Sequence, residues 1–414
     1  MLNHINYKSV IKKFRTHNSG QNNQYIPFGE NSNAGIFSLY FSSQNFNYLL
    51  GKSVYHCRKH GLEFSGEPVE EETADSKIEE NIIFSYPVFR EKTIERGEII
   101  RRDQAIILLH GLNERSFTKY IPLAYQLWEK LSIPVILFPL AFHINRISPD
   151  WARQQGKIYD RRLQISDNEM ATRYNAVISD RLEMHPARFF WGTVQSYYDL
   201  IDLVMTIRSG SHPHFAENAR IDFLGYSAGG YLSLLLLLEN KNELFSNSRA
   251  VIFGSGVPMR DLNLLSPLIL DSSAEDILID SYVRNIKKFA NERMNHWFEE
   301  HGIGRWFRAF SGLRTDTEMI EKRMNQIAPR ILGICNTNDQ VMPLGAVLNT
   351  LCGVRRNNSA SIIELDLGIH ESPFVCPPTD QSLRRAITEP LSDELYGNLF
   401  ENFISESVRH FSNS

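Results

Sequence analysis

The residues best placed to do chemistry are gathered in Gly225-Tyr226-Ser227-Ala228-Gly229. This G-x-S-x-G follows a short apolar run, Ile221 to Leu224, that reads as a strand, and precedes Tyr231 to Leu238, an apolar run that reads as a helix. A sharp strand-to-helix turn around a serine is a nucleophile elbow. The turn holds the serine in strained backbone geometry, and the flanking glycines let neighbouring segments approach where a Cβ would clash. Ser227 would then stand clear of the sheet at a helix N-terminus, where unpaired backbone N–H groups favour developing negative charge. A structural serine in a Gly-rich turn has the same five letters, so the strand before and the helix after decide between the two.

With the motif in that context, the chain from about Ala105 to its end resembles the α/β-hydrolase superfamily, with two interruptions and no assigned subfamily. A second place carrying the resemblance is Leu109-His110-Gly111-Leu112-Asn113. The resemblance implies an oxyanion hole made by the backbone N–H groups of Leu112 and Ala228, with His110 as a turn residue bonding the backbone. One glycine stands here where some esterases carry three. The bulkier Leu112 therefore narrows the space beside the oxyanion and disfavours crowded esters such as those of tertiary alcohols.

The third place, Cys335 to Pro343, follows the apolar run Ile331 to Ile334 and resembles the family's acid loop, which implies Asp339 as the triad acid. A carboxylate is needed there to hold the imidazole in one tautomer and to stabilise the imidazolium that forms. Asp261 is an alternative acid, because it follows the run Ala250 to Phe253, a position from which some members present theirs. The fourth place, Leu367-Gly368-Ile369-His370-Glu371 after Ser361 to Leu365, resembles the Gly-x-His loop of the catalytic base, which implies His370. Ser227, Asp339 and His370 stand in the superfamily's chain order, and the 31 residues from acid to base leave room for one helix and one strand.

These loops need a scaffold, and the apolar pattern supplies one. Ala105 to Leu109, Pro134 to Phe138, Ile221 to Leu224, Ala250 to Phe253, Ile331 to Ile334 and Ser361 to Leu365 read as strands, alternating with helical patterns. Such alternation predicts an α/β fold with a mostly parallel, doubly wound sheet. In 193–208, Val194, Tyr197, Tyr198, Ile201, Val204 and Met205 form a stripe of helical period, and Leu395, Leu399, Phe400, Phe403, Ile404 and Val408 form another near the C-terminus. Residues 1–100 read as an N-terminal extension with edge strands, one of them Ile82 to Phe89, and 101–414 as the hydrolase domain. Its insertions at about 143–190 and 258–329 leave after strand carboxyl ends and are expected to act as caps over Ser227.

Composition removes several function classes. In the 414 residues, 44 basic against 48 acidic side chains give a net charge of -4, so no positive field recruits nucleic acid or an anionic membrane. The longest uncharged apolar stretch, 223–238, is shorter than the ~20 residues of a membrane span. The first 14 residues lack the apolar segment of a secretory signal, so the expected location is cytoplasmic. Cys57, Cys335, Cys352 and Cys376 read as free thiols. No metal site is expected, since His and Cys are not grouped at ligand spacing, and neither a Walker nor a dinucleotide glycine loop is present.

The expected activity is hydrolysis of a small or medium ester by a serine hydrolase, with a small-molecule acyl substrate as partner and no cofactor. An acyltransferase using the same triad is the alternative within enzymes. A noncatalytic ligand-binding protein on a hydrolase scaffold is the alternative outside them.

Overall fold

The computed structural model describes residues 25–27, 34–67, 74–92, 94–95, 98–312, 316–367, 370 and 393–413. Residues 1–24, Gly368, Ile369, Glu371 and Cys376 lie outside the described residues. In chain order the strands are β1 (Tyr25–Pro27), β2 (Ala34–Ser42), β3 (Val54–Cys57), β4 (Leu62–Ser65), β5 (Ile83–Glu91), β6 (Ile94–Glu95) and β7 (Glu98–Ile99). They continue with β8 (Arg102–Leu109), β9 (Val135–Phe138), β10 (Phe215–Tyr226), β11 (Ala250–Phe253), β12 (Ile331–Asn336) and β13 (Ser361–Leu365).

Among the described residues the main sheet has nine strands in the order β1-β2-β5-β9-β8-β10-β11-β12-β13. From β9 to β13 every pairing is parallel, and β1, β2 and β5 add an antiparallel edge. The parallel strands are the six expected from the apolar runs, and with helices on both faces they make the sheet of an α/β-hydrolase fold. Their register aligns the carboxyl ends: Leu109 lies beside Gly225 and Phe138, Tyr226 beside Phe253, Phe253 beside Ile334, and Asn336 beside Leu365. The loops that follow these strands therefore open at one edge of the sheet, where parallel sheets place their sites.

Side chains alternate along a strand, so each parallel strand feeds two cores. Ala105, Ile107 and Leu109 join the core under the helices Ala187–Arg208 and Ala228–Glu239. Ile106 and Leu108 join the opposite core, under the helices Ile121–Leu131 and Asp393–Ser412. Val194, Tyr197, Ile201 and Val204 are buried as the helical stripe predicts, whereas Met205 is exposed. Phe400, Phe403 and Ile404 of the last helix are buried too. No described helix is long and apolar enough to cross a membrane.

The segments expected as insertions hold helices, Pro149–Arg162 and Ala176–Met184 in the first, and Ser272–Ile279, Ile286–Phe289, Glu292–Glu300, Gly302–Phe310 and Thr317–Ile327 in the second. The first ends earlier than residue 190, because the sheet-covering helix already begins at Ala187. The two segments hold each other. Arg162 Nε donates to Asp271 at 2.8 Å in a buried ion pair, Thr172 Oγ1 to the carbonyl of Pro267 at 2.6 Å, and Asn175 Nδ2 to that of Ser266 at 2.9 Å.

Candidate active site

Strand β10 ends at Tyr226 and the helix Ala228–Glu239 begins two residues later, which leaves Ser227 alone to make the turn. Its backbone sits at φ 51° and ψ -118°, a conformation L-residues avoid and one that surrounding structure must impose. The glycines permit it: a Cβ at Gly225 would lie 2.5 Å from the carbonyl oxygen of Gly229, and one at Gly229 would lie 2.3 Å from that of Leu109. Ser255 Oγ donates to the Ser227 carbonyl at 2.8 Å and fixes the turn from the β11 side.

Three strand ends bring the predicted side chains together. The Ser227 hydroxyl lies 3.2 Å from His370 Nε2, and His370 Nδ1 lies 2.7 Å from Asp339 Oδ2. All three residues are buried. Asp339 Oδ1 accepts the backbone N–H groups of Val341 at 2.8 Å and Met342 at 2.7 Å, so the loop after β12 closes on its own carboxylate and aims the other oxygen at the imidazole. Since Asp339 accepts from Nδ1–H, Nε2 carries the lone pair that faces the serine. Tyr226 stacks on the His370 ring and donates to its backbone carbonyl. Asp261 is not part of this group. It sits in the loop beyond β11, about a third exposed, and pairs with Arg260 at 3.3 Å.

Leu112 and Ala228 flank Ser227 in the wall of one cavity. Ala228 opens the helix, so its N–H is among those without an intrahelical partner. The loop carrying Leu112 is fixed by His110, which is fully buried, accepts the Leu140 N–H on Nε2 at 2.9 Å and donates from Nδ1 to the Gly111 carbonyl at 2.8 Å. Tyr120 accepts the Gly111 N–H at 3.1 Å. Asn113, missed in the sequence, takes a left-handed φ of 60° and donates to the carbonyls of Tyr174 at 3.2 Å and Leu268 at 2.8 Å. One side chain thus ties both helical segments to the loop that carries Leu112. Nothing in the sequence marks it except an Asn in a turn.

Two cavities meet at Ser227. The larger, about 250 Å³, is walled by Leu140, Phe142, Trp151, Ile178, Phe189 and Tyr231 among others. The smaller, about 100 Å³, is lined by Leu112, Glu114, Lys119, Tyr174 and His370. The first helical segment forms much of the larger wall. The second reaches it with Met259, Leu262 and Leu264 and lines the smaller cavity with Leu264, Leu268 and Ile269, while its helices beyond residue 270 line neither, so of this expected cap only the first part lies over Ser227.

Burial holds His110 and His143 below the usual imidazole range, His110 well below it and His143 at about 4. Above about pH 6.5 folded and unfolded chains are alike neutral at these sites. As pH falls through that value the unfolded chain takes up protons the folded one refuses, so stability is lost down to about pH 4 at up to roughly 1 kcal/mol per pH unit per histidine. His143→Gln is expected to flatten the pH dependence of urea unfolding between pH 6.5 and 4.5 by that amount. An unchanged slope would show that His143 is protonated in the fold.

The expectation of ungrouped His and Cys is also corrected: the ligand atoms of Cys57, His60, His296 and His301 all lie within 4.8 Å of one another. Folding joins two pairs that stand far apart in the chain. The spacings Cys57-x-x-His60 and His296-x4-His301 were the available signal.

Among solved structures, the chain resembles carboxyl esterase 2 from the mycorrhizal fungus Tuber melanosporum at 11% identity and a TM-score of 0.39, over 70% of this chain and 75% of that one. It also resembles the fluorophosphonate-binding serine hydrolase F of Staphylococcus aureus at 13% identity and a TM-score of 0.39, over 86% and 97% of the two chains. A cold-adapted esterase from an Arctic intertidal metagenomic library matches at 10% identity and a TM-score of 0.39, over 85% and 91%. At such identities and scores none of these neighbours speaks for the activity of this chain. No curated protein matches it. A family model described as a family of unknown function, DUF6051, matches residues 1–397, nearly the whole length, and the chain belongs to that family.

Proposed function

We propose that this protein hydrolyses a carboxylic ester of small or medium size through an acyl-enzyme on Ser227. The observation that carries this reading is the hydrogen-bonded line from Ser227 through His370 to Asp339, at 3.2 and 2.7 Å. His370 Nε2 takes the hydroxyl proton as Ser227 Oγ attacks the acyl carbon, and Asp339 stabilises the imidazolium that results. The Leu112 and Ala228 N–H groups hold the oxyanion. His370 then returns its proton to the departing alcohol, and a water molecule, deprotonated by the same nitrogen, releases the acid. Incubation with p-nitrophenyl esters and with a fluorophosphonate probe tests the reading. Folded protein that neither turns over the esters nor takes the label overturns it.

The two cavities support an assignment of substrate halves. The leaving oxygen must face His370, which lines only the smaller cavity, so the alcohol lies there and the acyl chain extends into the larger, apolar one. Gly192 borders the acyl cavity, and a Cβ there would meet only the Phe142 ring at 3.5 Å, an ordinary contact. Gly192→Leu therefore has room at its Cβ, raises helix propensity and directs its side chain into acyl space, and its unfolding midpoint is measured beside its activity. We expect it to raise KM for medium-chain esters by about tenfold or more while leaving acetate esters nearly unchanged, as measured across a p-nitrophenyl series. An equal loss at every chain length would place the acyl group elsewhere. Deleting 143–190 is a poorer test. It removes Arg146, Arg162 and Arg188, which pair with the buried Asp199, Asp271 and Asp75, and leaves those carboxylates without their charge partners.

A further inference from the structure

Away from Ser227, a short hairpin and a helix turn bring four metal-ligating side chains to one point. Cys57 ends β3, and the backbone turns so tightly after it that the N–H groups of His60 and Gly61 both reach the Cys57 carbonyl, at 3.2 and 2.8 Å. His60 is thereby folded back over the thiol. Opposite the hairpin, His296 lies on the helix Glu292–Glu300 and His301 at its C-terminus, where the His301 N–H still bonds the Trp297 carbonyl at 3.2 Å. The His301 ring lies flat on the Trp297 ring, 3.9 Å between centroids, which fixes its orientation with Nε2 toward the sulfur.

We propose that Cys57, His60, His296 and His301 bind one zinc ion in a closed, four-coordinate structural site. Cys57 Sγ lies 3.3 Å from His60 Nδ1, from His296 Nε2 and from His301 Nε2, and the first two nitrogens are 3.1 Å apart. Zinc bonds of about 2.0–2.3 Å in a tetrahedron separate donors by roughly 3.3–3.6 Å, close to these four spacings, and the His301 nitrogen lies within 4.8 Å of the other two imidazole nitrogens. Hydrogen bonding accounts for the cluster less well. A thiol has one proton and its sulfur is a weak acceptor, yet three imidazole nitrogens converge on it. A thiolate with three imidazoles and no carboxylate is a donor set for zinc, not for magnesium or calcium. Four protein ligands leave no position for substrate or water, which makes the site structural.

The fold has use for such a staple. Of the hairpin's residues, Val54 and Leu62 are exposed while Tyr55 and Cys57 are buried, and an isolated two-stranded hairpin is at best marginally stable. Lys59 donating to the Glu300 carbonyl at 2.9 Å adds one further tie. Behind the cluster, Trp297 packs edge-on against Trp191, on the helix that also carries Gly192 into the cavity wall. Zinc binding replaces the thiol proton of Cys57, which passes to solvent, and takes the imidazoles in their neutral form.

The test uses full-length protein purified without metal-affinity resin or chelator. Elemental analysis is expected to find about one zinc per chain. His56→Ala, at an exposed neighbour paired with Glu63 in the same hairpin, should keep it, and Cys57→Ala should weaken binding at least about a hundredfold. Because a ligand variant can misfold, unaltered protein is also stripped with chelator and titrated with cobalt(II). The expected spectrum has a thiolate-to-cobalt charge-transfer band and the intense visible bands of tetrahedral coordination, both erased by added zinc. Stripped protein that unfolds and regains its fold with zinc but not magnesium supports the site equally. The proposal is overturned if the folded protein binds neither ion at micromolar concentration, if cobalt binds without the thiolate band, or if Cys57→Ala binds as tightly as the parent.

Discussion

Ser227→Ala is expected to lower kcat/KM for the best ester by roughly a thousandfold or more and to abolish fluorophosphonate labelling, with little change in the unfolding midpoint. The loss follows from the geometry. Alanine removes the oxygen that His370 Nε2 faces at 3.2 Å, and backbone N–H groups cannot supply a nucleophile in its place. Stability is spared because alanine keeps the Cβ, so the strain at φ 51° is the same in both proteins, and the bond between Ser255 and the Ser227 carbonyl does not involve the lost hydroxyl. A variant that still takes the label at the parent's rate would place the nucleophile elsewhere. If instead the folded parent itself neither turns over esters nor takes the label, the ester-hydrolase reading falls and the noncatalytic ligand-binding alternative takes its place as the reading to test.

The parallel strands inside the sheet were legible because they are covered on both faces and so read as unbroken apolar runs, as Val135–Phe138 and Ala250–Phe253 do, whereas Ser361–Leu365, at the sheet's edge, shows its apolar run only at Ile362 and Ile363 between an exposed Ser361 and Glu364. Strand β10 runs six residues earlier than its apolar run, since Glu217 and Asn218 fall in a stretch where its pairing with β8 is irregular and carry no apolar alternation. The antiparallel edge was less legible. In β2, apolar and polar residues are mixed because the strand lies near the sheet's edge, and a reading by composition passes over Ala34–Ser42 among Asn and Ser.

That Ser227, Asp339 and His370 would lie together was legible for a local reason: each lies within a few residues of a strand's carboxyl end, so strand and loop motif identify one another. The supporting groups had no such pairing. Asn113 acts through carbonyls of Tyr174 and Leu268, and the backbone oxygen of any residue would have served, so no side-chain pattern foreshadows the contact. Cys57 and His60 are joined to His296 and His301 only by the way the hairpin packs on the second helical segment. That packing also explains why much of this segment does not reach the cavity: its Trp297, Phe298 and Phe307 are committed to the core behind the helix Ala187–Arg208.

Asp339→Asn is expected to cost about ten-thousandfold in kcat while the protein stays folded, and Asp261→Asn to leave kcat within about twofold. The asymmetry rests on what an amide can do at each place. At 339 the two backbone N–H groups of Val341 and Met342, at 2.8 and 2.7 Å, require an acceptor, so the amide oxygen takes the place of Oδ1 and the loop keeps its shape. The NH2 group then replaces Oδ2, 2.7 Å from His370 Nδ1, and as a donor it forces that nitrogen to become the acceptor. The ring proton moves to Nε2, and the histidine can no longer accept the proton of Ser227. At 261 the carboxylate is about a third exposed and pairs with Arg260, a surface contact whose loss is worth little. The experiment measures kcat and unfolding for both variants with one ester. A crippled Asp261→Asn beside a near-normal Asp339→Asn would mean that His370 takes its acid from the β11 side and that the 2.7 Å bond is not the one used in turnover.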